Sequence, residues 1–178
     1  MEPNEKAALL KALRALDRIE ATHKRGYDGG AYPEITDFVD RAWLSLHQAQ
    51  KLKTAARKIS GGLDDYIVDE QDADTAEIIS NFFFYAVDEL SLFFSEGSVG
   101  YLEGPVEREV EQARFIATQA FFARVGGGAM TLTPEQVKEI DFGAEYEAVA
   151  QAQQDDASLV GRMSSWSAEE VQEARRRG

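Results

Sequence analysis

Cysteine is absent from this sequence of 178 residues, and histidine occurs twice. Without cysteine there is no disulfide framework, no thiol nucleophile and no thiolate for a structural zinc site. Two histidines leave almost no material for a catalytic or metal site built on imidazole. No unbroken apolar run approaches the ~18 residues that mark a membrane span. The opening MEPNEKAALLKALRALDR carries charges throughout its apolar stripe, unlike a secretory signal. The cytoplasm is therefore the expected location, and no membrane contact is expected. One further absence is local. Between Lys58 and Arg108 lie 49 residues with twelve acids and no Lys or Arg.

What is present points to a folded helical domain. Hydrophobic residues make up 44% and aromatics 10% of a length that suits one domain with a sizeable core. The net charge of −13 is unevenly spread. Residues 1–58 hold eleven basic and eight acidic residues, net +3; residues 59–107 are net −12; residues 108–178 hold eight basic and twelve acidic, net −4. Such a field repels nucleic acid and steers basic proteins in. Direct nucleic-acid binding is not expected.

The periodicity predicts an all-α, single-domain bundle of about six helices. Ala8, Leu9, Ala12, Leu13, Leu16 and Ile19 follow the helical period in a first helix from Asn4 to about Gly26. A second, long helix is expected from Glu34 to Ser60, with a stripe running from Ile35 through Leu46 and Leu52 to Ile59, closed by a left-handed cap at Gly61-Gly62. Asp74 with Glu77 forms a capping pair for a third helix to about Ser95. Its stretch Asn81–Phe94 is apolar nearly all round. Phe82, Phe83, Phe84, Tyr85, Phe93 and Phe94 must be covered on every side, either as the centre of the bundle or as half of a subunit contact. EGSVGYLEGP reads as a loop, and Pro105 opens a fourth helix to Val125, broken by Gly126-Gly127-Gly128. Thr133 and Gln136 cap a fifth helix that Gly143 interrupts. Ser167 and Glu170 cap a last one. By organisation, residues 1–33 are an N-terminal helix and connector, 34–155 the main body, and 156–178 a peripheral C-terminal helix.

The stretch ISGGLDDYIVDEQDAD places six carboxylates in sixteen positions. A calcium loop needs alternating acids, a central Gly and a bidentate Glu at the twelfth place; here both glycines precede the acids. Glu107, Glu109 and Glu111 with Asp88 and Glu89 offer paired carboxylates of the kind that hold magnesium in helical nucleotide pyrophosphatases, but at poorly matching spacing. Arg41 and His47 in RAWLSLH have the Arg-x5-His spacing of the helical HEPN ribonucleases. On one helix those two side chains stand about 120° apart, and an acidic ribonuclease repels its substrate. No phosphate-cradling glycine loop is present. The expectation is a non-enzymatic protein with no catalytic residue, no cofactor and no metal.

ARKISGGLDDYIVDEQDADTAEIISNFF resembles a motif of the family of the neisserial DNA-mimic protein. There a long helix ends in Asn-Gly-Gly-Phe-Asp-Gln, followed by an aromatic-rich turn, an Asn and a new helix. Gly61, Gly62, Leu63, Asp64, Asp65, Tyr66, Ile67, Val68 and Asp69 occupy that run. Ser60 stands in place of an Asn, Leu63 of a Phe, Asp65 of a Gln and Asp69 of an Asn. EQARFIATQAFFARV and EIDFGAEYEAVAQ are similar to later helices of the family. The resemblance implies an all-helical homodimer whose acidic face takes the place of duplex DNA on a basic DNA-binding protein such as a repressor, nuclease or nucleoid protein. Duplex DNA presents about one charge per 1.7 Å of axis, and carboxylates three or four residues apart on a helix sit roughly 5–6 Å apart. Asp64, Asp65, Asp69, Glu70, Asp72, Asp74 and Glu77 are the candidates for that row, which Asp88, Glu89, Glu96, Glu103 and Glu107 could extend. The rival readings are an inhibitor or immunity protein against a basic toxin, and a helical ribonuclease or nucleotide hydrolase.

Overall fold

A computed structural model describes residues 1–26, 32–126, 132–141 and 143–177. Among them the protein is all-helical, with eight α-helices in chain order: α1 Pro3–Gly26, α2 Pro33–Leu44, α3 Lys53–Ser60, α4 Thr75–Glu96, α5 Gly104–Val125, α6 Pro134–Asp141, α7 Ala144–Arg162 and α8 Ala168–Arg176. Two short 3₁₀ turns, Leu63–Asp65 and Val99–Glu103, lie before α4 and before α5. The second of these occupies the stretch expected to be a loop.

The difference between six expected helices and eight comes from two breaks. One is the expected interruption at Gly143, between α6 and α7. The other divides the helix expected over 34–60, because the chain leaves α-geometry after Leu44. The last turn tightens through Leu46 N–H to Trp43 C=O and His47 N–H to Leu44 C=O, and the Ser45 hydroxyl donates to the Ala42 carbonyl at 2.6 Å. Arg41 then reaches across the gap and donates to the Lys51 carbonyl at 3.0 Å. Leu46 and Leu52, on either side of the break, are both buried in the main core. On a continuous helix they would stand about 120° apart. Breaking the helix lets both enter the same core. The expected left-handed cap is also absent: Gly61 and Gly62 have φ of −71° and −116°. Left-handed glycines end α4 and α5 instead, at Gly97 with φ +84° and Gly126 with φ +73°.

α1 is buried on more than one side. Leu9, Leu10, Ala12, Leu13, Ala15, Leu16 and Ile19 are at most 1% exposed, and the helix packs against α2, α4, α5, α7 and the second 3₁₀ turn. Each such Leu contributes roughly 1.5–3 kcal/mol by leaving water, and Leu13→Ala would cost about 2–5 kcal/mol. α4 packs against α1, α3 and α5. Phe83, Phe84 and Phe93 are buried in the main core, and Phe82, Tyr85 and Phe94 are half-buried. Those last three still have partners within the chain: Phe82 lies against Phe115, Phe94 against Phe38 and Phe93, and the Arg108 guanidinium sits over the Tyr85 ring at 5.5 Å. By length and composition α4 is apolar enough to cross a membrane, even though charged and polar residues interrupt its apolar run. A smaller cluster of Ala117, Phe121 and Ile140 joins α5 to α6.

A charged seam joins the helices around α1. Arg14 pairs with Asp156 of α7 and donates to the backbone carbonyls of Ala174 and Arg177. One turn on, Arg18 bonds both Asp156, at 2.8 Å, and Glu109 of α5, at 3.0 Å. Gln153 adds a hydrogen bond to Glu109 at 3.3 Å. α8 is fastened further by buried Val171 and Ala174 and by Arg175, which pairs with Asp40 at 2.6 Å and lies over the Trp43 ring.

Candidate functional site

The acidic segment between α3 and α4 is tied down at several points. Ser60 at the end of α3 donates to the Asp88 carboxylate at 2.6 Å. Leu63 is buried in the core, with Ile67 packed against it. The decisive tie is Asn81. Its carboxamide oxygen accepts from Val68 N–H at 3.1 Å, and its amide donates to Val68 C=O at 2.8 Å. One buried side chain on α4 thus satisfies both polar groups of one residue in the loop, as a neighbouring strand would. The first α4 turn closes the segment with a reciprocal capping box: Glu77 N–H to Asp74 at 2.9 Å and Asp74 N–H to Glu77 at 2.8 Å.

On this frame the acids point to water. Asp64, Asp65, Asp69, Glu70, Asp72 and Asp74 are exposed and Glu77 is half-buried. Among the described residues none of the seven is ion-paired with a Lys or Arg. The bordering cations are engaged elsewhere. Lys58 is held on Glu34 at 2.7 Å, and Arg108 bonds Glu89 at 3.0 Å and Glu111 at 2.6 Å. Not all seven carboxylates are equally free to meet a partner. Asp74 and Glu77 spend oxygens on the helix cap, and Asp69 accepts from Gln71 N–H at 2.9 Å, a local turn.

The charge continues onto the faces of α4 and α5. Burial pushes the Tyr85 hydroxyl above its ordinary range, and the negative charges of Glu70 and Asp69 push it the same way, against Arg108. Burial also raises the Glu89 carboxyl, opposed by its bond to Arg108. Glu96 accepts from the Tyr101 hydroxyl at 2.7 Å, and Glu103 and Glu107 are exposed. Within the loop, Tyr66 is 47% exposed, with one ring contact to Phe84 (5.5 Å, stacked) and one to Tyr32 (5.2 Å, edge-on).

The residues weighed for enzyme chemistry are dispersed. Glu107 and Glu111 lie on the outside of α5, but Glu109 is 4% exposed and turned into the seam with Arg18, as positions two apart on a helix must diverge. Among the described residues no group of three Asp, Glu or His is arranged to hold a metal ion. Arg41 is occupied by Asp37 and the Lys51 carbonyl, and His47 lies in the turn past the end of α2, so the two do not share a helix. The buried histidine is His23, whose Nδ1 lies 3.0 Å from the Ser80 hydroxyl and whose ring stacks on Phe83 at 4.9 Å. Burial holds its pKa below the ordinary value, opposed by Glu20 and helped by Lys24.

Sequence reasoning did not single out Asn81 or Tyr66 as site residues. A carboxamide inside an otherwise greasy helix is the signal for the first, since a buried amide without partners is costly. An aromatic among acids is the signal for the second. Compared with protein-family models, with curated proteins and with solved structures, the chain has no match.

Proposed function

We propose that the protein is a non-enzymatic acidic binding protein, and that the segment from Leu63 to Glu77 occupies the DNA-binding surface of a basic protein such as a repressor, nuclease or nucleoid protein. One observation carries the reading. Asp64, Asp65, Glu70 and Asp72 are exposed on an anchored loop and, among the described residues, unpaired with any Lys or Arg, while basic residues at both borders are bonded to other acids. An acid left without a counter-ion keeps its field available to a partner's Arg and Lys side chains. Tethering by Asn81 lowers the ordering cost of binding, because the loop does not need to be organised on contact. The motif likeness to the family of the neisserial DNA-mimic protein supports the same reading, with a homodimer as the working form. In such a dimer α4 is the central apolar helix.

The test is capture of basic proteins by the immobilised chain, followed by release with a duplex oligonucleotide and with salt. Binding is expected to fall steeply with ionic strength, to yield to duplex DNA, and to vanish when Asp69 and Asp72 are both changed to Lys. Capture that persists in the charge-reversed variant, or that duplex DNA does not displace, overturns the reading. Light scattering after size exclusion tests the dimer: a mass near 19.7 kDa in dilute solution rejects it.

A further inference from the structure

Beside the acidic loop a cavity of about 210 Å³ opens between the start of α2, the end of α3 and the first 3₁₀ turn. That is less than the ~300–1,000 Å³ typical of small-molecule sites and of the right order for one long side chain. Its walls include Tyr32 and Tyr66, its apolar lining includes Ile35, Ile59 and Leu63, and carboxylates come from Glu34 and Asp65. Lys58 also lines it, but its ammonium is held on Glu34 at 2.7 Å. Asp65 is the acid left over, exposed and without a basic partner among the described residues.

We infer that this cavity takes an arginine side chain of the partner, with the guanidinium on the Tyr66 ring and against the Asp65 carboxylate. The inference rests on the proposed function and names the partner residue that the same surface selects. The chemistry favours Arg over Lys for three reasons. A planar guanidinium stacks on an aromatic face and is less strongly hydrated than an ammonium, and it bonds a carboxylate through two parallel N–H groups. The apolar lining accommodates the methylene stem, as it would for either long basic side chain, so the preference comes from the head group alone. Tyr66 is supported for this role. Phe84 stacks behind it and Tyr32 meets it edge-on, and close to half of the residue remains open.

Two peptides of equal length and charge, one an alternating Gly-Arg polymer and the other Gly-Lys, are titrated into the intact protein by calorimetry. The Arg peptide is expected to bind about two- to fivefold more tightly, the increment of one cation–π contact at a partly exposed site. Tyr66→Leu retains apolar bulk against Phe84 and is expected to abolish that preference while leaving the Lys peptide unchanged; Asp65→Asn should weaken Arg binding more than Lys binding. The double change Asp69→Lys with Asp72→Lys should weaken both peptides by the same factor. Equal affinity of the two peptides for the parent, or an equal loss of both with Tyr66→Leu, overturns the pocket and leaves the acidic-surface reading intact. If neither peptide binds, both readings are overturned.

Discussion

The seam between α1, α5 and α7 and the loop from Leu63 to Glu77 handle charge in opposite ways. In the seam, Arg14, Glu109 and Asp156 are no more than 5% exposed, and every carboxylate meets a guanidinium. In the loop, six acids stand in water and none meets a Lys or Arg among the described residues. Burial explains the first arrangement, because an unpaired charge in the interior costs several kcal/mol. Water explains why the second is tolerated, since exposed repulsions are weak and screened. Tolerated is not the same as required. Folding has no use for a one-signed loop.

Breaking the seam should show the largest effect. Asp156→Ala leaves Arg14 in the interior without its carboxylate, and about 3–5 kcal/mol of stability should be lost, read from urea unfolding curves. A loss below about 1 kcal/mol would mean that the seam is effectively solvated.

A second test uses pH. Burial raises Asp17 from 3.8 to about 6, against the pull of Arg175 and of the Trp43 N–H. A carboxyl held near 6 rather than 3.8 disfavours its charged form by on the order of 3 kcal/mol. Because the folded-state pKa is the higher one, the contribution of the protonated carboxyl is fully present below pH 3.8 and is lost as pH rises through about 6. His23 runs the other way. Its folded-state pKa is depressed below 6.5, so its contribution is present above 6.5 and lost as pH falls through the folded value. Asp17→Asn should therefore raise stability at pH 7 and remove the decline between pH 4 and 6 in a series of denaturation midpoints.

Asn81→Leu keeps the α4 interior apolar but strands Val68 N–H and C=O. A loss of about 1–3 kcal/mol is expected, together with faster exchange of the Val68 amide. The same variant should weaken partner capture although it removes no charge, because the loop loses its anchor. Asp74→Ala removes the α4 cap and should cost about 1 kcal/mol, seen as a lower unfolding midpoint with an unchanged slope. Smallest of all, the Asp69→Lys, Asp72→Lys pair should shift stability by about 0.5 kcal/mol or less while abolishing capture. If that pair proves strongly destabilising, the contrast between seam and loop fails.

Much of the helical layout was legible in local chemistry. Asp74 with Glu77, Thr133 with Gln136 and Ser167 with Glu170 form the capping boxes that their spacing implies, because a cap is satisfied by residues three apart. The break between α2 and α3 was not legible. Apolar residues recur through Leu46, Ala49 and Leu52, so the stripe reads as continuous; the six-residue offset that puts Leu46 and Leu52 about 120° apart matters only once both must enter one core. Gly61 and Gly62 misled for a related reason: glycine permits left-handed geometry without imposing it. The acids of the candidate surface could be read directly, and so could their lack of basic neighbours along the chain. Their anchoring could not, since Asn81 reaches Val68 across thirteen positions.

The sequence alone determined that this chain is helical, where most of its helices begin, and that its negative charge gathers in the middle third. Periodicity and capping are properties of a few consecutive residues, so they need no knowledge of the fold. Tertiary structure alone decided which charges are cancelled. Arg14 and Asp156 are 142 positions apart and meet only because α1 and α7 pack together, whereas Asp64 and Asp72 stay unpaired because, among the described residues, no Lys or Arg is brought against them. A helical pattern says which face a residue occupies. What covers that face, and with which sign, depends on the other helices.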